Sequence, residues 1–365
     1  MNKEHRCWAE ISSDALRHNV RVLKDFLPAG VQICAVVKAD AYGHGLERVV
    51  RAVAGEVDLF GTANLREAER VRTQVPDAEV LILGPALPSE RAELVRQRFT
   101  PTISTVAEAR ALAASSGRDP LPVHFVFDTG MGRIGLWGEE ALAELGEVLK
   151  LPQLKVTAIS SHLPVADEDA DYTKDQLRRF AALRQRSGLE QVAILNSGGI
   201  LGFGQSAYPG DVVRLGLAMY GIAPLSTKQS LVRPALTWKT RVTLVRELAA
   251  GRSISYGRTF ITEAPTRVAT LAVGYGDGYQ RHLSGRDAEV LIEGRRCRLL
   301  GRVTMDQILV DVTGLPDIQP GAEAVLIGQQ GNETVLASEL ATKAGTIAWE
   351  VFTGLTNRVV RIDRA

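Results

Sequence analysis

Val31-Gln32-Ile33-Cys34-Ala35-Val36-Val37-Lys38-Ala39-Asp40-Ala41-Tyr42-Gly43-His44-Gly45 is the stretch on which the reading of the fold turns. A near-continuous apolar run, Val31 to Val37, reads as a strand buried on both faces, the kind found in parallel sheets. A glycine-rich turn follows at once, and a helical pattern begins at Leu46. Strand, glycine turn and helix make the first half of a βαβ unit. Lys38 closes the strand. An amine held at the mouth of an apolar scaffold is desolvated, which favours the neutral form able to attack a carbonyl or take a proton. A lone lysine at a strand end is more often a solvated one. Here Tyr42, Gly43, His44 and Gly45 beside it favour chemistry.

Outward from this unit the pattern repeats. Eight strand-like runs occur: Val31–Val37, Val57–Thr62, Val80–Leu83, Thr100–Ile103, Val123–Phe127, Lys155–Ser161, Val192–Leu195 and Asp211–Leu215. Helical segments lie between most of them: Leu46–Ala54, Arg66–Thr73, Glu90–Arg96, Val106–Ala114, Glu139–Lys150 and Gln176–Arg186. Another starts near Ser12–Ser13, with Ser13 as its N-cap and Leu16, Val20, Leu23 and Leu27 on one face. Strands separated by helices imply right-handed crossovers and a parallel sheet. Eight of them predict a (β/α)8 TIM-type barrel over residues 10–232. In such barrels catalytic groups gather at the strand C-termini. Lys38, Asp128, His162, Asn196 and Arg214 stand at or just past five of those ends, an enrichment that a purely structural rim does not explain.

From about Pro234 helical periodicity fades. Short β-rich runs take over: Leu236–Leu248, Arg267–Val273, Glu289–Ile292, Arg298–Leu300, Gln307–Val312 and Ala324–Ile327. Turn signals such as Gly251, Pro265, Gly294 and Pro320-Gly321 separate them. This predicts a C-terminal mostly-β domain over residues 233–365, with one short helix near Ala337–Lys343 and residues 1–9 joining it.

The 365 residues are 45% apolar, ample for a large core, and carry a net charge of +1. The basic residues are dispersed, so neither nucleic acid nor an anionic membrane is expected as a partner. The start is charged and lacks the apolar stretch of a signal peptide, no window approaches a transmembrane span, and a cytoplasmic location is expected. Cys7, Cys34 and Cys297 lack metal-ligand spacing and read as reduced thiols. The six histidines form no zinc pattern, and no metal site is expected.

Two glycine-rich turns follow the seventh and eighth strands, Asn196-Ser197-Gly198-Gly199 and Gly216-Leu217-Ala218-Met219-Tyr220-Gly221. Barrels commonly bind phosphate there, and glycine lets backbone N–H groups approach an anion. A phosphate site opposite a strand-end lysine suits a phosphorylated aldehyde held covalently by the amine, pyridoxal phosphate. In Asp128-Thr129-Gly130-Met131-Gly132-Arg133-Ile134-Gly135, Arg133 could donate to a phenolate or a carboxylate. The second domain holds Ser255-Tyr256-Gly257, Gly274-Tyr275-Gly276-Asp277-Gly278-Tyr279 and Gly301-Arg302-Val303-Thr304-Met305-Asp306, loops to which the residues alone assign no role.

Together these motifs resemble the alanine racemases over nearly the whole length. Ala35 to Gly45 is similar to that family's cofactor-lysine signature. Asp128 to Arg133, Val273 to Gly278 and Gly301 to Gln307 are similar to three more, in the expected order. The resemblance implies a pyridoxal-phosphate enzyme that interconverts L- and D-alanine with two bases and supplies D-alanine for peptidoglycan. It implies Lys38 as cofactor lysine and one base, and Tyr256, from the other subunit of a homodimer with shared active sites, as the second. Tyr42, Ser197, Gly216 and Leu217 would hold the phosphate, beside Asn196 and Asn357. Arg214 would face the pyridine nitrogen and His162 would link it to Tyr256. Arg133 and the partner subunit's Met305 would contact the carboxylate of a small amino-acid substrate. Tyr275 and Asp306 would line the entrance and the interface.

Three positions depart from the family pattern. Val126 stands where many relatives carry a lysine that braces the arginine, and Thr304 where many carry cysteine. Asn357 stands where many carry tyrosine, and resembles the serine-racemising branch. A serine or broad-specificity amino-acid racemase is therefore the alternative. A decarboxylase of similar architecture would need no Tyr256 motif, a non-catalytic pyridoxal-phosphate carrier would lack the β domain, and a barrel hydrolase would need a metal or paired-carboxylate signature.

Overall fold

A computed structural model describes residues 5–117 and 119–364. Residues 1–4, part of the stretch expected to join the second domain, lie outside the described residues. The chain divides into two compact units.

The first unit comprises Leu16–Ala41 and Leu46–Arg233. Its barrel strands are β1 (Gln32–Val36), β2 (Leu59–Thr62), β3 (Val80–Ile82), β4 (Thr100–Ile103), β5 (Leu121–Asp128), β6 (Leu154–Ser160), β7 (Val192–Ala193) and β8 (Val212–Leu215), with a two-residue strand, Leu136–Trp137, paired beside β5. They pair in parallel in the order β8-β1-β2-β3-β4-β5-β6-β7. The result is a nearly closed eight-stranded barrel with helices between its strands. No ladder joins β7 to β8. The ring is completed instead by Arg214 N–H donating to Leu195 O at 2.8 Å and Val192 N–H donating to Asp211 Oδ1 at 3.3 Å. That is why β7 ends at Ala193 rather than at Leu195: the carbonyls of Ile194 and Leu195 are turned onto Arg214.

Local sequence sets the helices. Thr105 and Glu108 form a reciprocal capping box at the start of Val106–Ala113, and Asn64 caps Leu65–Gln74. Asp169 accepts two backbone N–H groups at the start of Ala170–Ser187, and Gly188 (φ +70°) ends it. At the first helix, Ser13–Lys24, the cap is Ser12 and not Ser13: Ser12 Oγ accepts from Ala15 N–H at 3.1 Å.

Two segments at or beside the glycine-rich turns are ordered differently from the expectation. Residues 197–203 form a short helix, because Asn196 Oδ1 accepts from Gly199 N–H at 2.9 Å and overrides the poor propensity of Gly198 and Gly199. Lys38–Tyr42 is a left-handed helical turn, with φ between 52° and 54° from Ala39 to Tyr42. This conformation costs about 1–2 kcal/mol per non-glycine residue. Neighbours hold the turn: Ala39 N–H donates to Glu67 at 2.8 Å, Leu46 N–H donates to Asp40 Oδ1 at 3.1 Å, and Arg70 pairs with Asp40 at 2.7 Å.

The second unit comprises the described residues of Met1–Ala15, with Tyr42–Gly45 and Pro234–Ala365. Its main sheet runs Arg295–Arg298, Glu289–Ile292, Glu323–Gln330, Leu236–Leu248, Cys7–Ile11, Val360–Asp363. The N-terminal strand is antiparallel to Leu236–Leu248 and parallel to Val360–Asp363. The far half of Leu236–Leu248, past an irregularity between Val242 and Leu244, pairs with Thr266–Leu271 instead. The strand expected at Arg298–Leu300 lies earlier, at Arg295–Arg298. Glu293 (φ +49°) and Gly294 (φ +72°) form a two-residue turn that pairs it with Glu289–Ile292. The expected helix spans Ala337–Ala344. A second, Ala348–Thr353, is too short for periodicity to reveal. Cys7, Cys34 and Cys297 are free and buried, and burial raises all three thiols. No helix among the described residues is long and apolar enough to cross a membrane.

Candidate active site

In the barrel unit the rim residues come from adjoining strand ends. Lys38 follows β1 and is half-buried. Burial first, then the charges of Arg133 and Arg214, push its ammonium below the ordinary lysine range, and Glu67 opposes them. Its amine makes no hydrogen bond or ion pair among the described residues, so nothing there competes for it.

Arg214 lies within β8, paired in register with Cys34 of β1, and is 8% exposed. Its Nη1 donates to Ala193 O at 2.7 Å. Its Nη2 reaches Ser161 O and lies 3.1 Å from His162 Nδ1. Nε–H takes part in none of these bonds and is left to donate elsewhere. Burial lowers the guanidinium to about 10, which keeps it charged at neutral pH. His162 must then present a lone pair at Nδ1 and carry its proton on Nε2. Burial, then Arg214, Arg133 and Lys38, hold it down to about 3, so it is neutral at physiological pH.

The two glycine turns are tied together by Ser197. Its Oγ accepts from Gly216 N–H at 3.0 Å and from Ala218 N–H at 3.3 Å, so its own proton is free to donate outward. Gly216 N–H is thus committed to Ser197. Asn196 is committed as well: its amide donates to Leu163 O while its oxygen caps the helix. A side chain at Gly199 would meet Leu163 Cδ1 at 2.9 Å, and one at Gly198 Ala166 Cβ at 3.3 Å. Glycine therefore lets the backbone come close without filling the space. An amine, a hydroxyl with a free proton, a spare guanidinium N–H and glycine-bared backbone match the aldehyde, phosphate and ring nitrogen of pyridoxal phosphate.

Arg133 is exposed in the loop after β5. Asp128 organises that loop, taking the N–H groups of Gly130, Met131 and Gly132 at 2.9 Å each. Val126 is buried in β5 and offers Arg133 no polar partner. Sequence reasoning missed Thr129, Ser161 and Gln176. Thr129 Oγ1 lies 2.6 Å from Ser161 Oγ, and Gln176 Nε2 donates to Thr129 Oγ1 at 3.0 Å and to His162 O at 2.7 Å. A fully buried glutamine among charged helix residues was the only signal available, and it reads as an ordinary polar position. A groove of about 650 Å³ opens elsewhere on the barrel beside Arg184, Tyr208 and Asp211. Its polar groups are spent on one another: Arg184 pairs with Asp211 at 3.4 Å and stacks over Tyr208.

In the second unit Tyr256 follows a strained Ser255 (φ +62°) and is 71% exposed. Ser255 Oγ donates to Arg302 O at 2.6 Å, and Gly257 lies against the Arg302 guanidinium. Tyr275 N–H donates to Thr304 O at 3.0 Å and Gly276 N–H to Met305 O at 2.9 Å. Arg358 bridges Asp306 at 2.8 Å and Asp277 at 3.2 Å. Three sequence-predicted loops and the segment with Asn357 thus form one cluster, with Tyr256, Met305 and Tyr275 exposed. Asn357 is exposed in a turn between Thr356, which donates to Gly276 O at 2.9 Å, and Arg358. Tyr42 is buried in this unit, its carbonyl 2.9 Å from His44 Nδ1.

Family models match both parts of the chain: the alanine racemase N-terminal domain over residues 11–224 and the C-terminal domain over residues 235–363. An alanine racemase of Methylacidiphilum infernorum is 39% identical over 98% of this chain and 92% of its own length. One from Symbiobacterium thermophilum is 40% identical over 97% and 96%. Among solved structures, an alanine racemase from E. faecalis superposes with a TM-score of 0.91 at 32% identity, covering 100% of both chains. One from Bacillus anthracis with bound L-Ala-P gives 0.89 at 31%, covering 100% of this chain and 96% of that one.

Proposed function

The chain belongs to the alanine racemase family and is an amino-acid racemase; from that premise we propose that it works through pyridoxal phosphate held on Lys38, with Tyr256 of the partner subunit as a second base. The observation that carries this reading is Lys38 itself, an amine depressed by burial and by two arginines, at a barrel rim that also supplies a spare guanidinium N–H and a free hydroxyl proton. When bound, the cofactor supplies a conjugated ring that spreads the charge left when the substrate's Cα proton departs. The protein does the rest. Lys38 Nζ would take the Cα proton from one face while the hydroxyl of Tyr256 of the partner subunit gives a proton to the other, with the roles exchanged in the reverse direction, which inverts the carbon. Arg214 would face the ring nitrogen, where a fixed cation would resist protonation and restrain side reactions. Ser197, Tyr42 and Leu217 would hold the phosphate, and Arg133 would take the substrate carboxylate with the partner subunit's Met305 beside it. His162 Nε2–H reaches toward the phenol of Tyr256 of the partner subunit, with its other nitrogen fixed by Arg214. On this reading the enzyme acts in the cytoplasm as a homodimer and supplies D-alanine for peptidoglycan.

Asn357 supports a second substrate. An exposed amide can hydrogen-bond a serine hydroxyl, whereas a merely apolar wall discriminates by only ~1–3 kcal/mol per small group. The test is to incubate cofactor-loaded protein with L-alanine and with L-serine and follow optical rotation. Rotation should decay to zero with alanine and more slowly with serine. Borohydride reduction and peptide mapping should place the cofactor on Lys38, and a label on another lysine would sink the assignment.

A further inference from the structure

Arg133 makes no hydrogen bond or ion pair among the described residues, yet a residue that must meet a small carboxylate needs a fixed position. What fixes it is one face of the helix Ala170–Ser187. Tyr172, Gln176 and Arg179 stand at i, i+4 and i+7, which brings them to one side of a helix. Each grips a different point of the loop that carries Arg133. Gln176 Nε2 donates to Thr129 Oγ1 at 3.0 Å. Tyr172 Oη–H donates to Gly130 O at 3.0 Å. The Arg179 guanidinium lies 5.6 Å from the Trp137 ring centre and 5.4 Å from that of Tyr172. Gly130 is shaped for this contact: at φ +143° it adopts a conformation that only glycine enters readily, and a Cβ there would stand 2.3 Å from the Tyr172 hydroxyl. From within the loop, Asp128 gathers the three N–H groups that precede Arg133.

We propose that Tyr172 is a positioning residue for substrate carboxylate recognition, acting through the Gly130 carbonyl on the loop that presents Arg133. The proposal rests on the reading of Arg133 as the carboxylate contact. It replaces a direct side-chain brace, which Val126 cannot supply, with a brace on the backbone. On this proposal the Tyr172 hydroxyl acts only through the Gly130 carbonyl, so its loss should weaken binding of the carboxylate without changing proton transfer.

The experiment compares Tyr172→Phe, Arg133→Ala and the double variant in the cofactor-loaded enzyme. KM and kcat for L-alanine are read beside equilibrium binding of propionate, which carries the same carboxylate and carbon count without the amine. Tyr172→Phe keeps the ring over Arg179 and removes only the hydroxyl, so folding is preserved. Loss of one neutral hydrogen bond predicts a rise of about five-fold in KM and in the propionate dissociation constant, with kcat within about two-fold of the parent. In the Arg133→Ala background the same change should add nothing further to propionate binding. If Arg133→Ala weakens propionate and Tyr172→Phe does not, the positioning role is overturned while the carboxylate reading stands. If neither variant moves propionate binding, the reading of Arg133 itself falls, and the proposal with it. Effects that add fully in the double variant would show that Tyr172 acts elsewhere, and a fall in kcat at constant KM would overturn the proposal as well.

Discussion

Two histidines near Arg214 are uncharged at neutral pH. His124, in β5, is 2% exposed with Nδ1 3.2 Å from Ser160 Oγ, and burial, then Arg214, holds it down to about 3. His162 is depressed to the same level beside the same arginine. In the unfolded chain both titrate near 6.5. Between about pH 6.5 and pH 3 the unfolded state therefore binds protons that the native state refuses. Stability is full above 6.5 and is lost progressively as pH falls toward 3, by up to ~1.4 kcal/mol per pH unit for each histidine. Urea midpoints measured from pH 7.5 to 5 should fall, and His124→Gln should flatten that fall. An unchanged slope would mean that native His124 is already charged. At this scale much of the candidate site was legible. Lys38, His162, Asn196 and Arg214 announce themselves because strand ends at one rim are where a barrel keeps its polar chemistry. Tyr172, Gln176 and Thr129 gave no such sign, since their roles arise from contacts between a helix and a loop distant in sequence.

The left-handed turn from Ala39 to Tyr42 shows what an element can do that its residues do not advertise. Nothing in Ala-Asp-Ala-Tyr favours φ > 0, and a sequence reading places the turn on the glycines that follow. The structure puts it earlier and gives the glycines a different task. Gly43 (φ +76°) lies so near Phe352 that a Cβ would meet its carbonyl oxygen at 2.1 Å, and the Gly43 carbonyl accepts from Arg361 Nε at 3.0 Å. Gly43→Ala combines a strained conformation with a backbone clash and should cost about 3 kcal/mol or more. Gly55, with no atom within 4 Å of an added Cβ, serves as control: Gly55→Ala should leave the melting temperature unchanged or slightly raised. Equal melting temperatures for the two variants would refute the packing argument. Other elements were visible from periodicity and turn chemistry, down to β4 and the long strand Leu236–Leu248 with the bounds expected. Those that were misread, the helix at residues 197–203 and the shortened β7, owe their form to one capping amide and to the reach of Arg214 across the barrel seam.

At the scale of the whole molecule, the barrel and the β unit were both legible, because the switch from helical to alternating pattern near Pro234 is a change of hydrophobic period. The attachment of Tyr42–Gly45 to the second unit was not, since no local pattern marks it. Tyr256, Tyr275 and Met305 are exposed on one cluster of loops. If sites are shared across a dimer, mixing Lys38→Ala with Tyr256→Phe protein under subunit exchange should restore up to about a quarter of parental activity, because half the dimers are mixed and each holds one intact site. No recovery with exchange confirmed would count against composite sites. A different consequence follows from the strand Cys7–Ile11, held between residues 236–240 and 360–363. During synthesis it leaves the ribosome long before either neighbour, and the second neighbour follows well after the first. Until that neighbour is made it must remain an unpaired edge, the kind that aggregates or recruits chaperones. A chain interrupted before Val360 would keep that edge open for good, marking itself for disposal.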